Sequence, residues 1–487
     1  MNRLSSSAVL FFSLFSLRFQ HAAATFKYFA GYEPQTNVTA PALIDLDVED
    51  IVSGLGGTCG ISCLLNDCGF DTVAAKGNGC NYDGSTVSWP YEAGDHGAFD
   101  VWRNGKNSFR STSSTRAIRE FASEAKTKAS GNSPSTKDVA YKDNKFVAIM
   151  NKYWKSKNLD EHTWGEQMIK AAFEGTKVGT NTHLDFSTVG RDFRKEAIQK
   201  GIVYTNIFPY VIWEMQDAVN DCNAKKHIDA VHAWDTAVAL YAGSKTRGKG
   251  YGIHGPDGGN LQYRLADKRC QNFKTCADGF AGTAQVNQDI FALFNLGKEI
   301  TKSDCAALNS LAEKIGTLAL IPFVQSTLRY LWSTKNGQTA KDAGELWAFA
   351  TAILPFVAEA DANAGEMLYN RAWQLDFSSN SYEEVKTALE RTYPKLGAGA
   401  GVGLVTCEAV GNHYSGPSDA QRISTRACSS PSHPEASIDL RVVGGLTFLA
   451  FALMALSVYT CILKRRAEKK HSTAVFQGMG NRTGPQV

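Results

Sequence analysis

The chain carries none of the short signatures that mark common catalytic machinery. No HExxH pair, no GxSxG elbow and no Cys-His arrangement occurs in its 487 residues, which removes zincin-type hydrolysis and the usual activated nucleophiles. An excess charge of one sign is missing too: 51 Lys plus Arg stand against 48 Asp plus Glu. With no basic patch interleaved with aromatics, neither nucleic acid nor a strongly charged substrate is implied. No paired CxxC and no histidine accompany the N-terminal cysteines, so a structural zinc or a copper(I) thiolate site is disfavoured. The loop 243–260 has seven glycines but no Gly-Lys-Ser/Thr ending and no buried strand before it. It is not a phosphate cradle of the P-loop kind.

What is present first fixes a compartment. Arg3, the apolar run Ala8–Leu17 and Ala22-Ala23-Ala24 predict a cleaved signal peptide over 1–24. Residues 442–463 hold no charge, enough for one helical crossing of a hydrocarbon core about 30 Å thick. Lys464, Arg465, Arg466, Lys469 and Lys470 follow at once, which keeps the tail 464–487 in the cytosol. The expectation is a single-pass type I plasma-membrane protein with a large extracellular domain. Of 11 cysteines, Cys461 lies in the span and ten lie outside, an even number suited to disulfides. Asn37-Val38-Thr39 is an outward-facing glycosylation acceptor.

Between these ends the predicted fold class is mainly α. Residues 25–95, with Cys59, Cys63, Cys68 and Cys80, read as a small disulfide-rich cap. Residues 96–400 read as a helical ectodomain, with Arg116–Lys128 and Lys145–Lys155 patterned for one buried face. The Gly-, Ser- and Pro-rich stretch 401–441 reads as a stalk. Inside the helical part lies a duplication, about 190–285 and 303–395. Residues 207–240 recur without gaps 113 positions on, with Pro209 on Pro322, Val211 on Val324, Asn223 on Asn336, Asp229 on Asp342, Ala230 on Ala343, Trp234 on Trp347, Ala237 on Ala350 and Ala239 on Ala352. The pattern predicts two similar helical hairpins. Asp192–Asn223 reads as one long helix that Pro209 should kink.

Candidate ligands come from counting along the first hairpin. With helices at 202–222 and 227–243, the turn is centred between Ala224 and Lys225. Asp217 and His232 are equally far from it, and so are Glu214 and Asp235, which puts each pair at one height. Glu214 with Asp217, and His232 with Asp235, are three apart and share a face. Three carboxylates and an imidazole on facing helices are what bundles use to hold iron or manganese. The same arithmetic places Tyr330 and Glu345 in the second hairpin, where hard oxygen donors suit ferric iron. Tyr241 closes the first motif, and Tyr263 has a counterpart in Tyr369. Arg264 and Arg371, beside those two tyrosines, are candidates to hold an anion.

The runs Asp229-Ala-Val-His-Ala-Trp-Asp-Thr-Ala-Val-Ala-Leu-Tyr-Ala-Gly-Ser244 and Tyr263-Arg-Leu-Ala-Asp-Lys-Arg-Cys-Gln-Asn-Phe-Lys-Thr-Cys276 resemble the iron-assimilating surface proteins of algae. Those include the low-iron-inducible periplasmic proteins and the membrane-anchored phytotransferrins; the signal, single span and short tail are most similar to the phytotransferrins. The resemblance implies a non-enzymatic protein that captures Fe(3+) with carbonate or bicarbonate and delivers it by endocytosis, through endosomal vesicles and toward a downstream reductase. The ligand residues named above rest on geometry, not on the resemblance. The competing reading is a receptor or adhesion ectodomain whose carboxylates decorate a helical surface and bind no metal.

Overall fold

The chain divides into two compact units, residues 1–429 and 430–487. The computed structural model describes residues 29–42, 44, 45, 48, 88–89, 114–115, 144–159, 164–179, 184–243, 259–337, 339–375, 381–423 and 428, all in the first unit. The expected signal peptide, most of the cap including its four clustered cysteines, the helix over 116–128, the interior of the glycine-rich loop, the span 442–463 and the tail lie outside the described residues.

The described part is mainly helical. Its helices are α1 (Lys145–Ser156), α2 (Trp164–Glu174), α3 (Arg191–Gly201), α4 (Phe208–Asn223), α5 (His227–Ala242), α6 (Gln262–Phe273), α7 (Gln285–Ile300), α8 (Cys305–Leu318), α9 (Ile321–Lys335), α10 (Ala340–Ala360), α11 (Ala362–Leu368) and α12 (Ser381–Thr392). The only strands among the described residues are the antiparallel pair Ser88–Trp89 and Ser114–Thr115. Local chemistry sets several helix starts. Asn144 accepts from the backbone N–H groups of Phe146 and Val147 to open α1, and Thr339 accepts from Asp342 to open α10, each satisfying a donor that has no partner inside the helix.

The long helix expected over 192–223 is present, but Pro209 is accommodated differently. Residues Ile202–Ile207 form a π-helical stretch between α3 and α4, and the N–H of Phe208 reaches back to the carbonyl of Val203. Pro209 follows directly on this stretch, whose wider turn gives its ring the room that an uninterrupted α-helix would deny. A wider turn absorbs the proline. Gly165 of α2 lies against this stretch: a Cβ there would stand 2.6 Å from the Thr205 carbonyl oxygen, so only glycine permits the approach.

α4 and α5 form a tight antiparallel hairpin whose turn places Lys225 in the left-handed region (φ 59°). α9 and α10 form another, and α10 also packs on α3. Trp234 and Trp347 are both fully buried. The Trp234 indole N–H donates to the Phe294 carbonyl at 3.0 Å, and its ring occupies the space a Cβ at Gly297 would need, 2.1 Å away. Cys222–Cys305 ties the end of α4 to the start of α8, Cys270–Cys276 closes a loop after α6, and Cys407–Cys428 staples the C-terminal segment. Three disulfides among the described residues fit an oxidising compartment.

Among the described residues two stretches, Cys305–Lys335 and Ala340–Ala360, are long and apolar enough to cross a membrane, yet 72% and 78% of their most apolar windows are buried in the protein. Their apolarity is accounted for by the core. Residues 401–423, read from sequence as the start of a stalk, pack onto the helical body: Val405, Val410 and His413 are buried, and Tyr414 N–H donates to the Asn272 carbonyl. Glycine and serine there serve turns rather than a flexible tether, as at Gly411 (φ 74°), whose Cβ would meet the Phe273 carbonyl oxygen at 2.3 Å.

Candidate functional site

Asp235, on the buried side of α5, is fully inside the protein. One oxygen accepts from the Tyr32 hydroxyl at 2.5 Å; the other accepts from the N–H groups of Gln35 and Thr36 and from the Thr36 hydroxyl, each at 2.8 Å. Burial pushes the Asp235 carboxyl up, while these donors pull it down. The Tyr32 hydroxyl is pushed well above its ordinary range, chiefly by burial and then by Asp235. His232 is exposed, and its Nδ1 lies 3.2 Å from the Thr36 hydroxyl. Glu214 is buried and Asp217 half-buried. The segment 32–36 thus takes up the Asp235 oxygens that the sequence assigned to a metal. Among the described residues no three His, Cys, Asp or Glu side chains are grouped so as to hold a metal ion.

The first tyrosines are core residues. Tyr241 is fully buried and donates to the Asn287 amide oxygen at 2.8 Å; Asn287 in turn donates to the Tyr263 carbonyl and to Asp267. Tyr263 packs edge-on to Tyr241 and Phe291. Tyr369 stacks on Trp373, with the Lys157 ammonium 3.9 Å above its ring. Arg371 approaches Glu384 at 3.7 Å, and Arg264 is half-buried on α6.

Glu345 and Tyr330 lie in a different setting, a buried charged compartment between α3, α6, α9 and α10. Glu345 comes from α10, and Glu196 and Lys200 from successive turns of α3. Arg269 comes from α6, Arg329 and Tyr330 from α9, and His413 from the C-terminal segment. Lys200 stands 3.8 Å from a carboxylate oxygen of both Glu196 and Glu345, and Lys341 stands 4.0 Å from Glu345. These ion pairs are too long for good hydrogen bonds. Glu196 Oε2, Glu345 Oε2, Arg269 Nε and Nη1, Arg329 Nε and His413 Nδ1 are all buried without a hydrogen-bond partner. So many unmatched polar atoms in one place are uncommon in a folded interior.

Electrostatics follow from burial. Desolvation lifts the Glu345 carboxyl to about 7; Lys200 and Arg269 oppose this and Glu196 reinforces it. Burial, with Arg329 beside it, brings Arg269 down to about 10. His413 is pushed down to about 3 by burial and then by Arg329 and Arg269, so it is neutral at ordinary pH. Its ring stacks on Phe273 at 5.0 Å and meets Trp332 edge-on. Tyr330 lies flat on Phe349 with the Arg269 guanidinium 5.5 Å from its ring centre and Arg329 5.7 Å away.

The Glu345 shift has a measurable sign. Its folded value lies above the ordinary glutamate value of 4.5, so its contribution to stability is present below about pH 4.5 and is lost as pH rises through about 7. In the iron-free protein, the urea stability of wild type relative to Glu345→Gln should fall by about 2–3 kcal/mol between pH 4.5 and pH 8. A difference that grows with pH instead means Lys200 and Arg269 hold Glu345 ionised.

Sequence reasoning reached Glu345 and Tyr330 but not Glu196, Lys200, Arg269, Arg329 or His413. The available signals were weak: the i,i+4 spacing of Glu196 and Lys200 on α3, and Arg269 abutting the Cys270 disulfide.

Residues 81–252 match the family model described as low iron-inducible periplasmic protein. The match bears out the resemblance to the iron-assimilating family. It spans α1 to α5 and the run 229–244, and ends inside the glycine-rich loop, before α6. The low iron-inducible match therefore includes Glu196, Lys200, Glu214, Asp217, His232 and Asp235, while Arg269, Arg329 and Glu345 lie beyond it. No curated protein and no solved structure matches the chain.

Proposed function

We propose that the chain is a cell-surface ferric iron-binding protein, capturing Fe(III) with (bi)carbonate for high-affinity uptake by endocytosis. The observation that carries this reading is the match of residues 81–252 to the low iron-inducible periplasmic protein family, a name that joins iron supply to a location outside the cytosol. The three disulfides support the same side of the membrane, as does Asn37, which is exposed and open to glycosylation. In this reading 442–463 anchors the protein as a single-pass type I membrane protein, and the role is binding rather than catalysis. The hairpins α4–α5 and α9–α10 are two copies of one unit. A proline in the first turn of each leading helix and a fully buried tryptophan in each second helix support the pairing.

For the iron itself, the second copy is the better place. Oε2 of Glu345 and Oε2 of Glu196 each accept no hydrogen bond, and Tyr330 borders the same compartment. Carboxylate and phenolate oxygens are hard donors that fit a trivalent cation. In the first copy Asp235 is committed to Tyr32, Gln35 and Thr36, and the His232 ring lies against the Thr36 hydroxyl.

The test is ferric titration of the full chain in detergent, with iron supplied as a nitrilotriacetate complex, with and without bicarbonate. Binding should weaken at least tenfold in Glu345→Gln combined with Glu196→Gln, and a visible tyrosinate-to-iron band should be lost in Tyr330→Phe. Equal affinity in both buffers removes the anion from the reading. No ferric binding by the wild type ends it.

A further inference from the structure

We propose that the compartment between α3, α6, α9 and α10 is a binding site for a small oxyanion, held by the guanidinium groups of Arg269 and Arg329. It places the anion on residues other than Arg264 and Arg371. The site itself assumes nothing about iron; only a role for the anion as iron's co-ligand rests on the reading above.

The first argument is an unmatched cation. Arg269 is 6% exposed, yet its Nε and Nη1 have no hydrogen-bond partner, and Arg329 Nε is buried in the same condition. A buried guanidinium is tolerated when an acceptor answers its fork of N–H groups. Neither glutamate hydrogen-bonds those guanidinium atoms: Glu345 is drawn to Lys200 and Lys341 through Oε1, Glu196 to Lys200 through Oε2, and Oε2 of each accepts no hydrogen bond.

The second argument is charge. Lys200, Arg264, Lys268, Arg269, Arg329 and Lys341 interact with one another or with the carboxylates of Glu196, Asp342 and Glu345. Lys268 and Lys341 are exposed, but the buried or half-buried Lys200, Arg264, Arg269 and Arg329 still outnumber Glu196, Asp342 and Glu345, which leaves the neighbourhood positive even with every carboxylate ionised. Such an excess attracts an anion.

The third argument is rigidity. Tyr330, stacked on Phe349, forms a flat floor beneath both guanidiniums, the stacking surface that Arg prefers. Neutral His413 lies close enough to feel both guanidiniums, and its segment is pinned by the Gln325 amide donating to the Val410 carbonyl at 2.8 Å. Two guanidiniums beside one aromatic ring gather forked N–H donors in one place, and such forks recognise carbonate, phosphate or sulfate oxygens. The shared chemistry is a compact oxyanion of one or two charges.

The experiment is calorimetric titration of the iron-free full chain in detergent with bicarbonate, inorganic phosphate and sulfate, at constant ionic strength in chloride. At least one oxyanion should bind with a sub-millimolar Kd and raise the unfolding midpoint. Arg269→Met and Arg329→Met should each weaken it at least thirtyfold, while Arg269→Lys retains part of the affinity. Because methionine removes an unanswered buried charge, Arg269→Met should unfold no more easily than the anion-free wild type, which separates lost binding from lost fold. The proposal is overturned if no oxyanion binds, if chloride serves equally well, or if Arg269→Met binds as the wild type does. A protein that takes the oxyanion but no ferric iron refutes the iron reading alone; one that takes ferric iron but no oxyanion refutes this site alone.

Discussion

Asp235→Ala should destabilise the protein by about 3–5 kcal/mol, the range for removing one partner of a buried charged group. The carboxylate is the common acceptor for the Tyr32 hydroxyl, two backbone N–H groups and the Thr36 hydroxyl. Alanine leaves all four donors without it. Asparagine is no rescue, because its NH2 would face donors on one side. The segment can escape the penalty only by lifting off α5, which surrenders the burial of Tyr32 and Val38. Urea unfolding gives the energy, and limited proteolysis after Tyr32 reports the detachment. Stability within about 0.5 kcal/mol of wild type, the range of an ordinary surface change, with unchanged protease resistance, would mean that Asp235 does not hold the segment. The variant also bears on iron: lost affinity without lost stability would return Asp235 to the ligands.

Replacing Cys222 and Cys305 together by serine should cost about 4–5 kcal/mol, from the chain entropy of closing so long a loop. The two cysteines are 83 residues apart. By the same relation, opening Cys270–Cys276, only 6 apart, should cost about 2 kcal/mol. The ordering of the two effects is the discriminating result, read from urea midpoints of each double variant under oxidising conditions. Loss of under about 1 kcal/mol at Cys222–Cys305, well short of the loop-closure figure, would show that the unfolded chain keeps residual structure that holds these two positions together.

The hairpin α4–α5 was legible because its determinants are local. Helix-period apolar residues, the polar turn near Asn223–Lys226 and the tryptophan inside α5 all lie within one window of sequence. The expected helix at 145–155 was found as α1 for the same reason. The ligand cluster was not legible in this way. Counting from the turn fixes height along a helix, but it says nothing of what approaches from elsewhere. Asp235 is met by residues about two hundred positions earlier, in a stretch read only as cysteine- and glycine-rich. The charged compartment draws on α3, α6, α9 and α10 and a segment taken for a stalk, so no single window contains it. Glu345 and Tyr330 were reached because duplication carried a local argument into a second place; Arg269 and Arg329 had no such guide.

The π-helical stretch Ile202–Ile207 bears on how relatives should be compared. Such a turn houses an additional residue relative to an α-helix. Homologues that lack Pro209 should be able to drop one amino acid within that stretch without moving α4. A lone gap there would then mark a change of helical pitch, and forcing it shut would shift every downstream correspondence, Glu214 and Asp217 included, by one place.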